Sequence, residues 1–186
     1  GHVVVDEAQE LSPMEWRMIM RRCPSRWMTL VGDTAQTGSP AGVDRWTDTL
    51  EPYVQNRFRR HQLTVNYRTP ADIMHVANTL LPMIAPTQTP SQAVRSTGIP
   101  VRFLPSGTEV SPLIDALRTE HPDRLTAHID ADNVAEIKGL EYDHVVLVEP
   151  QEIVDNSPQG WQDLYVALTR ATQSLTVVGE MPTTEL

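Results

Sequence analysis

Short apolar runs alternate along this chain with longer stretches whose apolar positions recur at helical spacing. Residues 2–5 (His-Val-Val-Val) form a β-branched run suited to a strand buried on both faces. Ser12-Pro13-Met14-Glu15 is a capping box with proline at the first helical position. It predicts a helix to about Arg22 with Met14, Met18 and Ile19 on its inner face. Residues 27–31 predict a second buried strand. Gly, Pro and scattered charge make 38–60 a loop, a short helix around 46–54 and a linker. Thr69-Pro70 opens a helix to about Ile84, with Ile73, Val76, Ala77 and Leu80 in phase. A Pro, Thr and Ser-rich loop fills 85–100.

Beyond it, 101–104 predicts a strand, Ser111-Pro112 the start of a helix to about Glu120, and 125–129 a strand. Residues 134–137 and 144–148 are candidates for two more strands. A helix over 159–171 and a final strand over 174–178 complete the pattern. Strands alternating with helices predict a mostly parallel α/β sheet.

Hydrophobic residues are 40% of the 186, a globular share that excludes disordered and collagen-like classes. No apolar run approaches the roughly 18–20 residues of a membrane span, and no membrane partner is expected. The single cysteine, Cys23, allows no internal disulfide and fits a reducing cytoplasm. Lys and Arg total 15 against 24 Asp and Glu, a net charge of -9. Modules that grip phosphate backbones usually carry a basic excess, so nucleic acid would have to bind in a local groove or elsewhere in the protein. The sole lysine, Lys138, is followed by Gly139, so these residues hold no phosphate loop of the form G-x-x-x-x-G-K-[ST].

Five short segments carry candidate chemistry. Val3-Val4-Val5-Asp6-Glu7-Ala8-Gln9 delivers two carboxylates at a strand's C-terminal end, where α/β sheets bind ligands. One can hold Mg2+ and its neighbour can orient or deprotonate a water; an acidic helix start is the plain alternative. In Leu30-Val31-Gly32-Asp33-Thr34-Ala35-Gln36, Gln36 can reach a γ-phosphate or its water, or Asp33 simply caps a turn. In Asn66-Tyr67-Arg68-Thr69-Pro70, Arg68 suits a phosphate and Tyr67 a base, against a surface arginine and a core tyrosine. Lys138-Gly139-Leu140-Glu141-Tyr142-Asp143 precedes a predicted strand. In Tyr165-Val166-Ala167-Leu168-Thr169-Arg170-Ala171, an apolar helix holds Arg170, either as an arginine finger or as a cation in the last helical turn.

Together and in this order the segments resemble the superfamily 1 helicases of the UvrD/Rep type, with DEAQ, GDTAQ, NYRT, KGLEYD and YVALTRA standing for motifs II to VI. The resemblance implies a RecA-like parallel sheet flanked by helices, of the P-loop NTPase type, and two such domains clamping ATP between them. Residues 1–58 would be the C-terminal part of the first domain and 61–186 the second. Asp6 would bind Mg2+, Glu7 would be the general base and Gln36 would sense the γ-phosphate. Tyr67 would stack on adenine, Arg68 would contact phosphate, and Gly139 and Glu141 would border the nucleotide, with Glu141 at the ribose. Arg170 would be the arginine finger. The phosphate loop would lie upstream of residue 1, leaving this piece inactive by itself.

Departures from that pattern concern the nucleic-acid strand. Gln36 is followed by Thr37-Gly38-Ser39-Pro40-Ala41-Gly42, without the aromatic stretch that stacks bases in UvrD-type enzymes. Asn133 and Ala135 stand where that family tends to place Thr and His against the DNA. A stacking platform contributes about 1–3 kcal/mol per base. The strings GDTAQTGSPAG, TVNYRTPADIM and DLYVALTRATQ look most like the bacterial HelD proteins, UvrD-like ATPases that bind RNA polymerase and strip it from nucleic acid. Three functions follow: an ATP-driven factor remodelling RNA polymerase, an ssDNA translocase or helicase, and a non-catalytic interaction module.

Overall fold

The computed structural model describes residues 1–183, which fall into two compact units divided after residue 62. The last three positions of the expected second domain lie outside the described residues.

In the first unit, β1 (Val3–Val5) and β2 (Met28–Leu30) pair in parallel, Val3 opposite Met28 and Val5 opposite Leu30. Only one face is covered: Val3 and Val5 turn inward while Val4 is 67% exposed, which corrects the expectation of a strand buried on both sides. Helix α1 (Pro13–Arg22) begins at the expected capping box, where Ser12 N–H donates to Glu15 at 2.8 Å and Glu15 N–H donates to Ser12 Oγ at 3.4 Å. The hydrogen bonds from the Ser12 backbone and hydroxyl hold the Glu15 carboxyl below its usual range.

The buried stripe of α1 is Trp16 and Met20, not Met14 and Met18, which are 60% and 61% exposed. Both pairs have i, i+4 spacing, about 200° apart around the helix. The pair with the larger aromatic payload takes the core. It packs with Ala8, Val43 and, from helix α2 (Trp46–Val54), Leu50 and Val54.

The second unit contains a sheet of order β5-β8-β7-β6, parallel throughout: β5 (Arg102–Leu104), β6 (Thr126–Ile129), β7 (Tyr142–Val148) and β8 (Ala171–Val178). Val145, Val146 and Leu147 of central β7 have no exposed surface. A smaller parallel pair, β3 (Val65–Asn66) with β4 (Gln92–Ala93), accompanies helices α3 (Ala71–Asn78) and α4 (Leu81–Ile84). Helices α5 (Val110–Glu120), α6 (Pro150–Asn156) and α7 (Gly160–Leu168) complete the unit, α5 packing on the sheet and α6 against α7. The expected parallel α/β architecture is therefore present.

Local expectations change in four places. Residues 134–137 form a 3-10 turn instead of a strand, because Asp130 and Asn133 close hydrogen-bonded turns in front of them. The helix expected over 69–84 breaks into α3 and α4, since Pro82 has no N–H for the Asn78 carbonyl. The helix expected to reach residue 171 stops at Leu168, where Thr169 Oγ1 bonds the Tyr165 and Val166 carbonyls at 3.0 and 3.1 Å. The pair β3–β4 and helix α6 lie in stretches without a periodic apolar pattern. Among the described residues no helix is long and apolar enough to cross a membrane.

Candidate functional site

In the first unit, the chain leaves β1 through Asp6 and Glu7, both exposed at the strand's C-terminal end. Glu7 adopts a left-handed conformation (φ 50°, ψ 36°), which costs a non-glycine residue about 1 kcal/mol. The turn is secured by Glu7 N–H donating to Asp6 Oδ1 at 2.9 Å and by Ala8 N–H donating to the Val31 carbonyl at 2.9 Å. A 3-10 turn over Ala8–Glu10 follows. At the end of β2, Asp33 accepts from Ala35 N–H at 3.0 Å and from Gln36 Nε2 at 2.9 Å, capping the 3-10 turn Thr34–Gln36.

The two strand ends are joined by Gln9, which the sequence reading passed over. Gln9 is 1% exposed; its Nε2 donates to Glu7 Oε2 at 2.6 Å and its Oε1 accepts from Asp33 N–H at 3.1 Å. Parallel pairing of β1 and β2 sets their C-terminal ends side by side, and this register is the signal that could have found Gln9. A Cβ at Gly32 would lie 2.5 Å from Gln9 Oε1, so the glycine leaves room for the amide.

The second unit brings residues from three distant segments together. Asn66 Oδ1 accepts from the N–H groups of Arg68 and Thr69 at 2.9 and 3.0 Å, forming the turn that presents Arg68. Arg68 meets Glu141 at 3.4 Å, both about half-exposed, while the Tyr67 ring is 74% exposed. Gly139 has φ +77° and open space around its Cβ position, so conformation, not crowding, calls for glycine there. Lys138 Nζ lies 3.3 Å from Asp163 Oδ1, whose other oxygen accepts from Ser157 Oγ at 2.9 Å.

Arg170 sits between α7 and β8 and is 3% exposed. Its Nε and a terminal nitrogen donate to the Val166 and Leu140 carbonyls, each at 3.2 Å. Thus Arg68, Leu140, Glu141 and Arg170 are linked in pairs across long sequence separations. Arg170 lies beyond the helical turn where it was expected.

Beside this region, the His144 ring stacks on His121 (centroids 4.4 Å, 17° between planes) and bonds Ser174 Oγ at 2.7 Å. Burial, then the nearby His121 charge, lowers the His144 pKa. Burial raises the Asp143 carboxyl, but hydrogen bonds from Leu125 N–H and Arg124 outweigh it and hold the group below its usual range.

Among the described residues no group of three or more His, Cys, Asp or Glu forms a metal cage. One exposed carboxylate at a strand end fits Mg2+, which is commonly held by one or two carboxylates together with substrate phosphates and water.

The model of the viral superfamily 1 RNA helicase core domain matches residues 2–179. Among solved structures, an Arterivirus nonstructural protein 10 (helicase) in complex with DNA is 20% identical, with a TM-score of 0.56 over 96% of this chain and 39% of that one. PRRSV nsp10 (helicase) is 15% identical, with a TM-score of 0.37 over 96% of this chain and 36% of that one. A search of curated proteins found no match. The first structure shows the fold, parallel sheets flanked by helices of the RecA-like type, and the chain spans well under half of that helicase. These matches single out neither the UvrD/Rep type nor its HelD branch, and they lend no support to an RNA polymerase partner. The match over 2–179 makes this chain a member of the viral superfamily 1 RNA helicase core-domain family.

Proposed function

We propose that this chain supplies the hydrolytic carboxylates and the nucleotide-contacting residues of an NTP-driven, helicase-like motor that moves on single-stranded nucleic acid. One observation carries the reading: Glu7 and Gln36, the candidate base and γ-phosphate sensor, belong to one hydrogen-bonded network across two parallel strand ends. In this reading Asp6 holds Mg2+, which would neutralise phosphate charge. Glu7 accepts the proton of the attacking water, and Gln36 orients that water or the γ-phosphate. Tyr67 offers its exposed ring to the base of ATP, Arg68 meets a phosphate, Gly139 lets the loop turn, and Glu141 meets the ribose. Arg170 stabilises charge on the transferring phosphoryl group, for which its guanidinium must exchange at least one backbone carbonyl for phosphate. The phosphate loop comes from another part of the protein, with residues 1–58 completing one RecA-like domain and 61–186 forming the other.

The HelD-like, polymerase-displacing reading has one observation in its favour. Asn133, at an expected strand-contacting position, is committed to Asp130 N–H and to the His128 carbonyl, at 3.1 and 2.9 Å. Steady-state hydrolysis by the protein carrying this chain, with single-stranded RNA, single-stranded DNA or RNA polymerase, separates the readings. Stimulation by a single strand that falls steeply with salt supports the motor. Stimulation by polymerase alone overturns it in favour of the displacing factor.

A further inference from the structure

We propose that Gln9 is a positioning residue that fixes the aim of the Glu7 carboxylate relative to the turn carrying Gln36; this rests on Glu7 being the general base. Its two partners dictate the residue type. A carboxylate only accepts and a backbone N–H only donates, so the bridge needs one side chain that does both at this reach. Glutamine qualifies. Ionised glutamate cannot donate to Glu7, methionine matches the length without the polar pair, and asparagine is one methylene shorter. At 1% exposure the amide is shielded from bulk water, so losing either bond is costly.

Three features brace this bridge. The Gln9 carbonyl accepts from Val43 N–H at 2.7 Å, fixing the backbone beneath the side chain. Glu10 Oε1 accepts from Gly38 N–H at 2.7 Å, a second tie between the same two segments. Gly32 leaves the space that the amide occupies. Since Asp33 also accepts from Gln36, a shift of the Gln36 turn pulls on Asp33 N–H, then on the Gln9 amide, and so redirects the Glu7 carboxylate. Gln9 touches neither water nor nucleotide in this role.

The test compares Q9M, Q9E, E7Q and the swap E7Q/Q9E in the protein that carries this chain together with its phosphate loop. Loss of aim lowers kcat about tenfold or more in Q9M and Q9E while KM for the nucleotide stays within about twofold, since binding does not depend on the base. The swap reverses the donor and acceptor of the 7–9 bond, so it restores the thermal midpoint lost in Q9E without restoring kcat. Should Q9M fail to fold, Q9E, which keeps the shape and the acceptor for Asp33 N–H, carries the test. Native kcat in the folded Gln9 variants, with E7Q inactive, overturns the positioning role alone. Native kcat in E7Q overturns the reading of Glu7 as the base.

Discussion

Arg170 illustrates how much a buried cation contributes besides chemistry. Its guanidinium is bonded to the Val166 and Leu140 carbonyls at 3% exposure, so Arg170→Ala takes the donor from the Leu140 carbonyl, while Val166 keeps its bonds from Thr169. The variant is expected to lose about 1–3 kcal/mol of stability, measured by urea denaturation, along with hydrolysis. An unchanged midpoint would show that the burial contributes nothing. Local strings pointed to Asp6, Glu7, Gln36, Arg68 and Arg170 because their side chains belong to compact motifs. Gln9 was equally visible as a letter but not as a contact: its partner Asp33 lies 24 residues away and meets it only through the pairing of β1 with β2.

Elements respond to pH through the groups they bury. His144 on β7 faces Glu120 and His121 of the α5 end, Arg124 of the following loop and its neighbour Asp143. Its pKa is lowered on folding, so the neutral ring is the stabilised form. That contribution is present above the unfolded value of about 6.5 and is lost as pH falls through the folded value. Stability should therefore decline on acidification below about pH 6.5, and His144→Leu should flatten the decline; equal slopes for the two proteins would refute this. Asp143 acts in a more acidic window, its contribution lasting until pH falls through its own lowered value.

The capping box was legible because its four residues are contiguous, and Ser12→Ala should cost about 1 kcal/mol, read as a lower thermal midpoint of the first unit. An unaltered midpoint would deny the cap its role. The buried face of α1 was not legible. Two stripes satisfied the same periodicity, and the choice between them was made by Leu50, Val54 and Val43 from other segments. The 3-10 turn over 134–137 was hidden for a related reason: apolar residues mark burial of Val134 and Ile137, while the backbone is set by Asp130 and Asn133.

On the scale of the whole molecule, the acidic surplus leaves little generic attraction for phosphate backbones, so the proposed motor would have to hold its strand in a local groove or elsewhere in the protein. The parallel architecture was legible from the alternation of apolar runs; the division after residue 62 lies just beyond the linker read at the end of 38–60. Lacking G-x-x-x-x-G-K-[ST], the 186-residue chain alone should show no NTP turnover, and turnover by the purified chain would contradict the phosphate-loop argument. The most direct measurement is steady-state NTP hydrolysis by the phosphate-loop-containing protein, wild type against Glu7→Gln, with saturating single-stranded RNA. Loss of about 10²–10⁴-fold in kcat in a folded variant is the predicted result. A variant that hydrolyses NTP at the wild-type rate would contradict the assignment of the β1 carboxylates to hydrolysis.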